Sequence, residues 1–367
     1  MRKVELGVFM PVGSNGFLMS KRTPRYHPTF ELHRSIAEIA EDIGLDYLFW
    51  MGKWMGFGGA TGFWEETIEP MSMASAIAPL TSRLKLFTTI NPLLFHPAVA
   101  AKLIATIDNI SGGRFGINVV TGNTLEELEQ MGVVPEGYGD YRYEYADEWL
   151  SVMKMLWTQE RTSYQGRFFK LDNCVSAPKP LGKPYPKIVS AGLSGDGMAF
   201  AAKHSDYQFV GLRAEDVKRM RQAAADQGRE VRVVTSMMLL HGESDAAAQK
   251  EFDLIREELD TDALDNLIRS FERDNRDSYK DRTSYLRQPN TVGFGSGTPV
   301  VGSPDTMAEK LCQMIVESGI DGIQFTFVDY VKDLKFFGAV VLPKLQALLA
   351  RHDIVVADAP ATKAVAA

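Results

Sequence analysis

Eight short apolar runs, each followed by a segment of helical periodicity or by a loop and such a segment, constrain this chain more than any other feature. They cover residues 4–10, 45–51, 84–90, 115–120, 187–192, 206–211, 231–240 and 322–327. The run 45–51, Leu-Asp-Tyr-Leu-Phe-Trp-Met, is almost continuously apolar, as strands covered on both faces tend to be. Strict alternation of strand and helix calls for parallel strands with right-handed crossovers. Within 367 residues, eight such units are most economically closed into an α/β fold of the (β/α)8 TIM-barrel type, ahead of an open doubly wound sheet. No Gly-x-Gly-x-x-Gly follows the first strand, which weakens a dinucleotide-binding alternative. A single domain is expected over residues 1–353, with insertion loops at the C-terminal face near 123–142 and 260–304. Residues 354–367 read as a flexible tail.

Charge and cysteine usage exclude several classes of function. A formal charge of −7 argues against a general affinity for nucleic acid, which clustered Lys and Arg would provide. No run approaches the ~20 apolar residues that span a bilayer, and the first residues pass straight into a strand pattern, so the expected compartment is the cytoplasm and no membrane partner is expected. Cys174 and Cys312 lie far apart in apolar settings, the pattern of small buried hydrophobes and not of a disulfide framework. The six histidines show neither HxH nor HExxH spacing, so no metal is expected.

In a barrel of this type the active site lies at the C-terminal strand ends. Those ends carry Lys53 with Trp54, Thr89 with Asn91, Asn118 with Thr121, Ser190 with Ser194, Gln208, and Thr326 with Asp329. These are mostly neutral hydrogen-bonding groups. Neither a Gly-x-Ser-x-Gly elbow nor a lysine isolated in an apolar strand is present to act as nucleophile. Trp50, Trp54, Phe57, Trp64, Phe87 and Phe95 are the aromatics expected around the mouth, a setting suited to a flat, amide-rich ring whose cofactor does the hard chemistry. Asn118 is the most demanding position, because a buried amide in an apolar strand needs a partner, whether backbone or ligand.

The run Ser-Gly-Gly-Arg-Phe-Gly-Ile-Asn-Val-Val-Thr-Gly, residues 111–122, resembles the fourth-strand signature of the bacterial-luciferase-like, flavin-dependent monooxygenases. Further blocks at 7–16, 28–32, 56–59, 105–108, 129–132, 197–200 and 336–338 extend the resemblance over almost the whole chain. Within that superfamily the chain is most similar to the uracil-opening pyrimidine oxygenases, and next to the dimethyl-sulfone and alkanesulfonate monooxygenases. The resemblance implies FMN bound at the mouth and used in its reduced form with O2. It also implies a separate NAD(P)H:FMN reductase as partner, a small-molecule substrate, and a homo-oligomer, either dimer or tetramer.

Matched residue by residue, the resemblance makes Gly52, Lys53, Asn118, Glu127, Arg142, Tyr143 and Ser194 cofactor-binding, the last three as the phosphate grip. Thr89 and Asn118 are the best placed to steady the reacting groups by neutral hydrogen bonds and are expected to be catalytic, and Trp54, Phe57, Asn91 and Asn123 are expected in the substrate pocket. Arg142 can contact a phosphate bidentately, and Ser194 opens a helix whose amides favour an anion. Departures occur at Asn123, where the family carries Trp, and at Gly52, where it carries a bulky aliphatic. The expected activity is oxidative ring cleavage of a small N-heterocycle of pyrimidine or pyridinium type. The alternatives are a C–S-cleaving sulfone or sulfonate monooxygenase, with Arg22, Arg25 and Arg287 as extra cations, and a non-catalytic flavin-binding barrel. Loops 13–28 and 270–300 are candidate lids.

Overall fold

A computed structural model describes residues 1–122, 124–273, 283, 284, 286–288, 290–294 and 299–357. Eight parallel strands form its centre: β1 (Arg2–Phe9), β2 (Tyr47–Trp50), β3 (Lys85–Ile90), β4 (Phe115–Val119), β5 (Lys187–Ser190), β6 (Tyr207–Phe209), β7 (Arg232–His241) and β8 (Gly322–Phe327). Each pairs with the next, and β8 pairs with β1, so the sheet closes. All eight expected strands are present, and the architecture is the (β/α)8 barrel.

Alternation along each strand divides the side chains between barrel interior and helix layer. Phe49 of β2 and Phe209 of β6 lie on non-adjacent strands, yet their rings meet edge to face at 5.3 Å, which places both inside. Their neighbours in sequence face outward. Trp50 donates its indole N–H to His33 Nδ1 at 2.9 Å, on the helix α1 (Phe30–Asp42), and is therefore not at the mouth as expected from the sequence. Phe87 is also displaced from the expected mouth, packing deep between Tyr47 and Tyr207 at 5.7 and 5.2 Å. Below these rings the barrel is plugged by charge: Lys85 pairs with Glu5 at 2.7 Å, and the Tyr207 hydroxyl donates to Glu5 at 3.1 Å.

The helix starts are written in the local sequence. Thr29 caps α1 by accepting from the Leu32 amide, and the buried face His33, Ile36, Ala37 and Ala40 follows helical spacing. Pro70 and Pro97 stand at the first position of α2 (Pro70–Ile77) and α3 (Pro97–Ile110), where the missing N–H costs nothing. The helical periodicity of the sequence starts at Tyr143, and the long helix α4 (Tyr138–Thr158) begins five residues earlier. α5 (Gly195–His204) follows β5.

Elements outside the eight-fold repeat were less visible in the sequence. The polar stretch after α4 folds as an antiparallel hairpin, Thr162–Gln165 with Lys170–Cys174. The excursion read from residue 260 opens with a regular amphipathic helix, α6 (Thr261–Glu272), which buries Leu267, Ile268 and Phe271. Isolated bridges join Leu18 to Gly293 and Ser20 to Leu259, and residues 11–20 are buried throughout. The first expected lid is thus clasped to the second over this stretch; residues 274–282, 285, 289 and 295–298 lie outside the described residues. Ile354–Val356, assigned to the tail by sequence, add a short parallel strand beside β1.

Candidate active site

Thr89 and Asn118 are register partners on β3 and β4, and both point into the barrel near its C-terminal end. The Asn118 amide donates to Thr89 Oγ1 at 2.9 Å, while Asn118 Oδ1 is buried without a partner. An orphaned buried carbonyl costs about 1–3 kcal/mol, so the position is held against its own stability. Beside the pair, between the ends of β2, β3 and β4, a small cleft opens to solvent. Gly52, Trp54, Thr89, Asn91, Phe95, Thr124 and Glu127 are among the residues that line it. The fold therefore gathers Gly52, Trp54, Thr89, Asn91 and Glu127 around one cleft.

Lys53 and Glu127 meet each other. Lys53 Nζ lies 2.8 Å from Glu127 Oε1 and 3.0 Å from Thr124 Oγ1, and both charged side chains are almost fully buried. Glu127 Oε2 also accepts from the Trp54 amide at 2.8 Å, and Thr124 Oγ1 hydrogen-bonds Glu127 Oε1. The pair locks the helical turn Glu126–Glu129 onto the chain that leaves β2. Phe57 lies beneath the ammonium, 4.8 Å from ring centroid to Nζ, and packs on Trp64 instead of lining the cleft. Asn91 spends its side-chain carbonyl locally, accepting from the Leu93 amide at 2.9 Å. Asn123 lies outside the described residues.

Arg142 and Tyr143 come from the first turns of α4. The Arg142 guanidinium is buried, donates to the Gly122 carbonyl at 3.3 Å, and has no carboxylate partner among the described residues. Gly122 reaches its position through a φ of +119°, a conformation open to glycine. Arg142 lies 5.2 Å over the Tyr143 ring, and a Cβ added at Gly192 would approach the Tyr143 hydroxyl to 2.6 Å. Tyr143 thus rests on the 192–197 loop, whose Ser194 caps α5 by accepting from the Gly197 amide at 3.2 Å. A buried cation and the free amides of a helix start lie on either side of one tyrosine, an arrangement that favours an anionic group.

Not every expected strand-end group takes part. Ser190 turns to the helix layer and hydrogen-bonds Ser205 at 2.6 Å, and Gln208 donates to the Gly192 carbonyl at 2.9 Å on the same outer side. Asp329 caps the helix Tyr330–Phe336. Thr124 was missed because only the fold brings it to Lys53, and Gln324 was missed although the alternation Ile323, Phe325, Phe327 marks it as inward-facing. Among the described residues no group of three metal-ligating side chains forms, and no helix is long and apolar enough to cross a membrane.

Residues 4–322 match the family model of the luciferase-like monooxygenases. Pyrimidine monooxygenase RutA of Pantoea ananatis is 37% identical over 353 residues, covering 94% of this chain and 96% of its own. RutA of Escherichia coli is 36% identical with the same coverage. Among solved structures, riboflavin lyase RcaE superposes with a TM-score of 0.84 at 21% identity, over 98% of this chain and 94% of that one. Long-chain alkane monooxygenase LadA gives 0.81 at 19% identity, over 98% and 93%. At these identities the structures speak for the barrel alone, while the sequence matches reach further. This chain belongs to the luciferase-like monooxygenases.

Proposed function

We propose that the protein is the oxygenase component of a two-component, FMN-dependent monooxygenase that opens the ring of a small N-heterocycle, with FMNH2 delivered by a separate NAD(P)H:FMN reductase. The observation that carries this reading is the inward-facing Asn118–Thr89 pair with its orphaned carbonyl, beside a cleft lined in part by Gly122, whose carbonyl accepts from the buried Arg142. The residues present fit FMN. Arg142, Tyr143 and the amides after Ser194 would hold its phosphate; Asn118 Oδ1 would accept a ring N–H; Gly52 leaves the cleft wall open beside Thr89. Bound there in reduced form, the cofactor supplies the electrons that activate O2.

The remaining work falls to the chain. Thr89 and Asn118 orient the reacting groups by neutral hydrogen bonds, which suits a reaction that starts from an uncharged ring. Phe49 and Phe209 and the ionic floor below them exclude water from the barrel interior. The sulfonate alternative is less well served: of its three expected cations Arg22 is held by Glu251 at 2.8 Å and Arg287 by Glu272 at 2.5 Å, which leaves the exposed Arg25 to meet a second anion. A homo-oligomer is supported by the outer face of α3, where Val99 and Ile110 are exposed, with Leu80 exposed in the turn that follows α2. The relatives named pyrimidine monooxygenase point to the same substrate class.

The test is oxygen consumption with an FMN reductase and a panel of pyrimidines, pyridinium compounds, sulfones and sulfonates, with products read by mass under oxygen-18. Ring-opened, labelled product from an N-heterocycle alone is expected. Release of sulfite or sulfinate, or oxygen uptake with no organic product, would overturn the reading.

A further inference from the structure

Gln324 and Thr326 of β8 and Ser236 of β7 form a second polar station inside the barrel. Phe325 and Phe327 both pack on Phe337 in the helix layer, at 5.1 and 6.3 Å, so the alternate residues Gln324 and Thr326 face inward. They are 2% and 1% exposed. Gln324 stands opposite Ser236 in register and donates its amide N–H to Ser236 Oγ at 2.8 Å.

The arrangement repeats, half a barrel away, what Asn118 and Thr89 do on β4 and β3. In both cases an amide donates to a hydroxyl opposite it on the preceding strand, and in both the amide carbonyl is buried with no partner. The Thr326 hydroxyl, two residues nearer the mouth than Gln324, is also unpartnered. Phe49 and Phe209 stand on the strands midway between the two amides, their rings in edge-to-face contact at 5.3 Å. Three orphaned polar atoms in one small interior, each costly to bury unpaired, are accounted for by a ligand that satisfies them when bound. The Gln324 carbonyl requires an N–H, and the Thr326 hydroxyl can donate to a carbonyl next to it.

We propose that Gln324, held in orientation by Ser236, and Thr326 are specificity-determining residues that grip the N–H and adjacent carbonyl of the substrate ring. The inference rests on the reading that an N-heterocycle enters the barrel, and it assigns that ring a polar edge on β8 in addition to the Asn118 side. N-alkylated or carbonyl-free rings are rejected because they leave these groups unsatisfied.

Calorimetric titration with uracil and with 1,3-dimethyluracil, in the presence and absence of FMN, tests it. The wild-type protein is expected to bind uracil about tenfold or more tightly than the dimethyl compound. Gln324→Met should weaken uracil by about tenfold and bring the two ligands to within about threefold of each other, with FMN affinity unchanged. Thr326→Val, almost the same shape, should weaken uracil several-fold and provides the test if the Gln324 variant fails to fold. Equal uracil affinity in wild type and either folded variant, or no wild-type preference for uracil, overturns the proposal. Failure of FMN to bind while the uracil preference persists would instead count against the flavin reading and leave this wall standing.

Discussion

Lys53 shows how much one side chain can carry. Its ammonium and the Glu127 carboxylate are both buried, so deleting one partner leaves an uncompensated charge. Lys53→Met is expected to cost roughly 3 kcal/mol in urea unfolding, the low end of the range for a broken buried pair because the Trp54 amide and Thr124 hydroxyl still serve the carboxylate. The double change with Glu127→Leu should cost less than the sum of the two single changes. Asn118 makes the opposite prediction. With its carbonyl already unpartnered, Asn118→Ala should leave the melting temperature within a few degrees while product formed per O2 consumed falls about tenfold or more. At this scale the sequence was informative about which residues matter and silent about their partners. Asn118 stood out as polar within an apolar strand, whereas the Lys53–Glu127 pair joins residues 74 apart and appears only after folding.

Helices α4 and α5 pack side by side, and their N-terminal turns carry Arg142, Tyr143 and Ser194. Lower down they are joined by a polar chain. Lys154 Nζ lies 3.0 Å from His204 Nδ1, His204 Nε2 lies 2.6 Å from Asp147, and Asp147 pairs with Lys203 at 2.6 Å. Burial, with the Lys154 charge beside it, lowers the His204 pKa to about 4, and burial likewise lowers His33 to about 4 between α1 and β2. Both rings are therefore neutral in the folded state but protonate near 6.5 once unfolded. Their contribution is complete above that pH and is lost as pH falls toward 4, by roughly 3 kcal/mol at most for each ring. Melting temperature should fall between pH 6.5 and 4, and His204→Gln should flatten that slope. The strands and main helices were legible because hydrophobic period and cap residues are local signals. The hairpin Thr162–Gln165/Lys170–Cys174 was not, since its exposed strands carry few apolar residues.

For the whole molecule, the closed barrel could be read from the eight-fold alternation, and the family from blocks spread along the chain. Which side chains face the interior was less accessible: Trp50 and Phe87 read as mouth aromatics, yet strand register sends one to the helix layer and the other to the floor. The outer face of α3 belongs to this scale too. Val99→Asp combined with Ile110→Asp should shift the protein toward monomer in light scattering without lowering the melting temperature by more than a few degrees.

The central claim is that an FMN phosphate sits between the Arg142 guanidinium and the start of α5, with the ring reaching toward Asn118. Equilibrium titration of FMN against wild type and Arg142→Ala, followed by flavin fluorescence, tests it most directly. The account predicts saturable binding by wild type and a Kd raised about 100-fold in the variant, the value of a lost charge-assisted contact. Equal affinity in the two proteins, or no saturable binding by wild type, would contradict it.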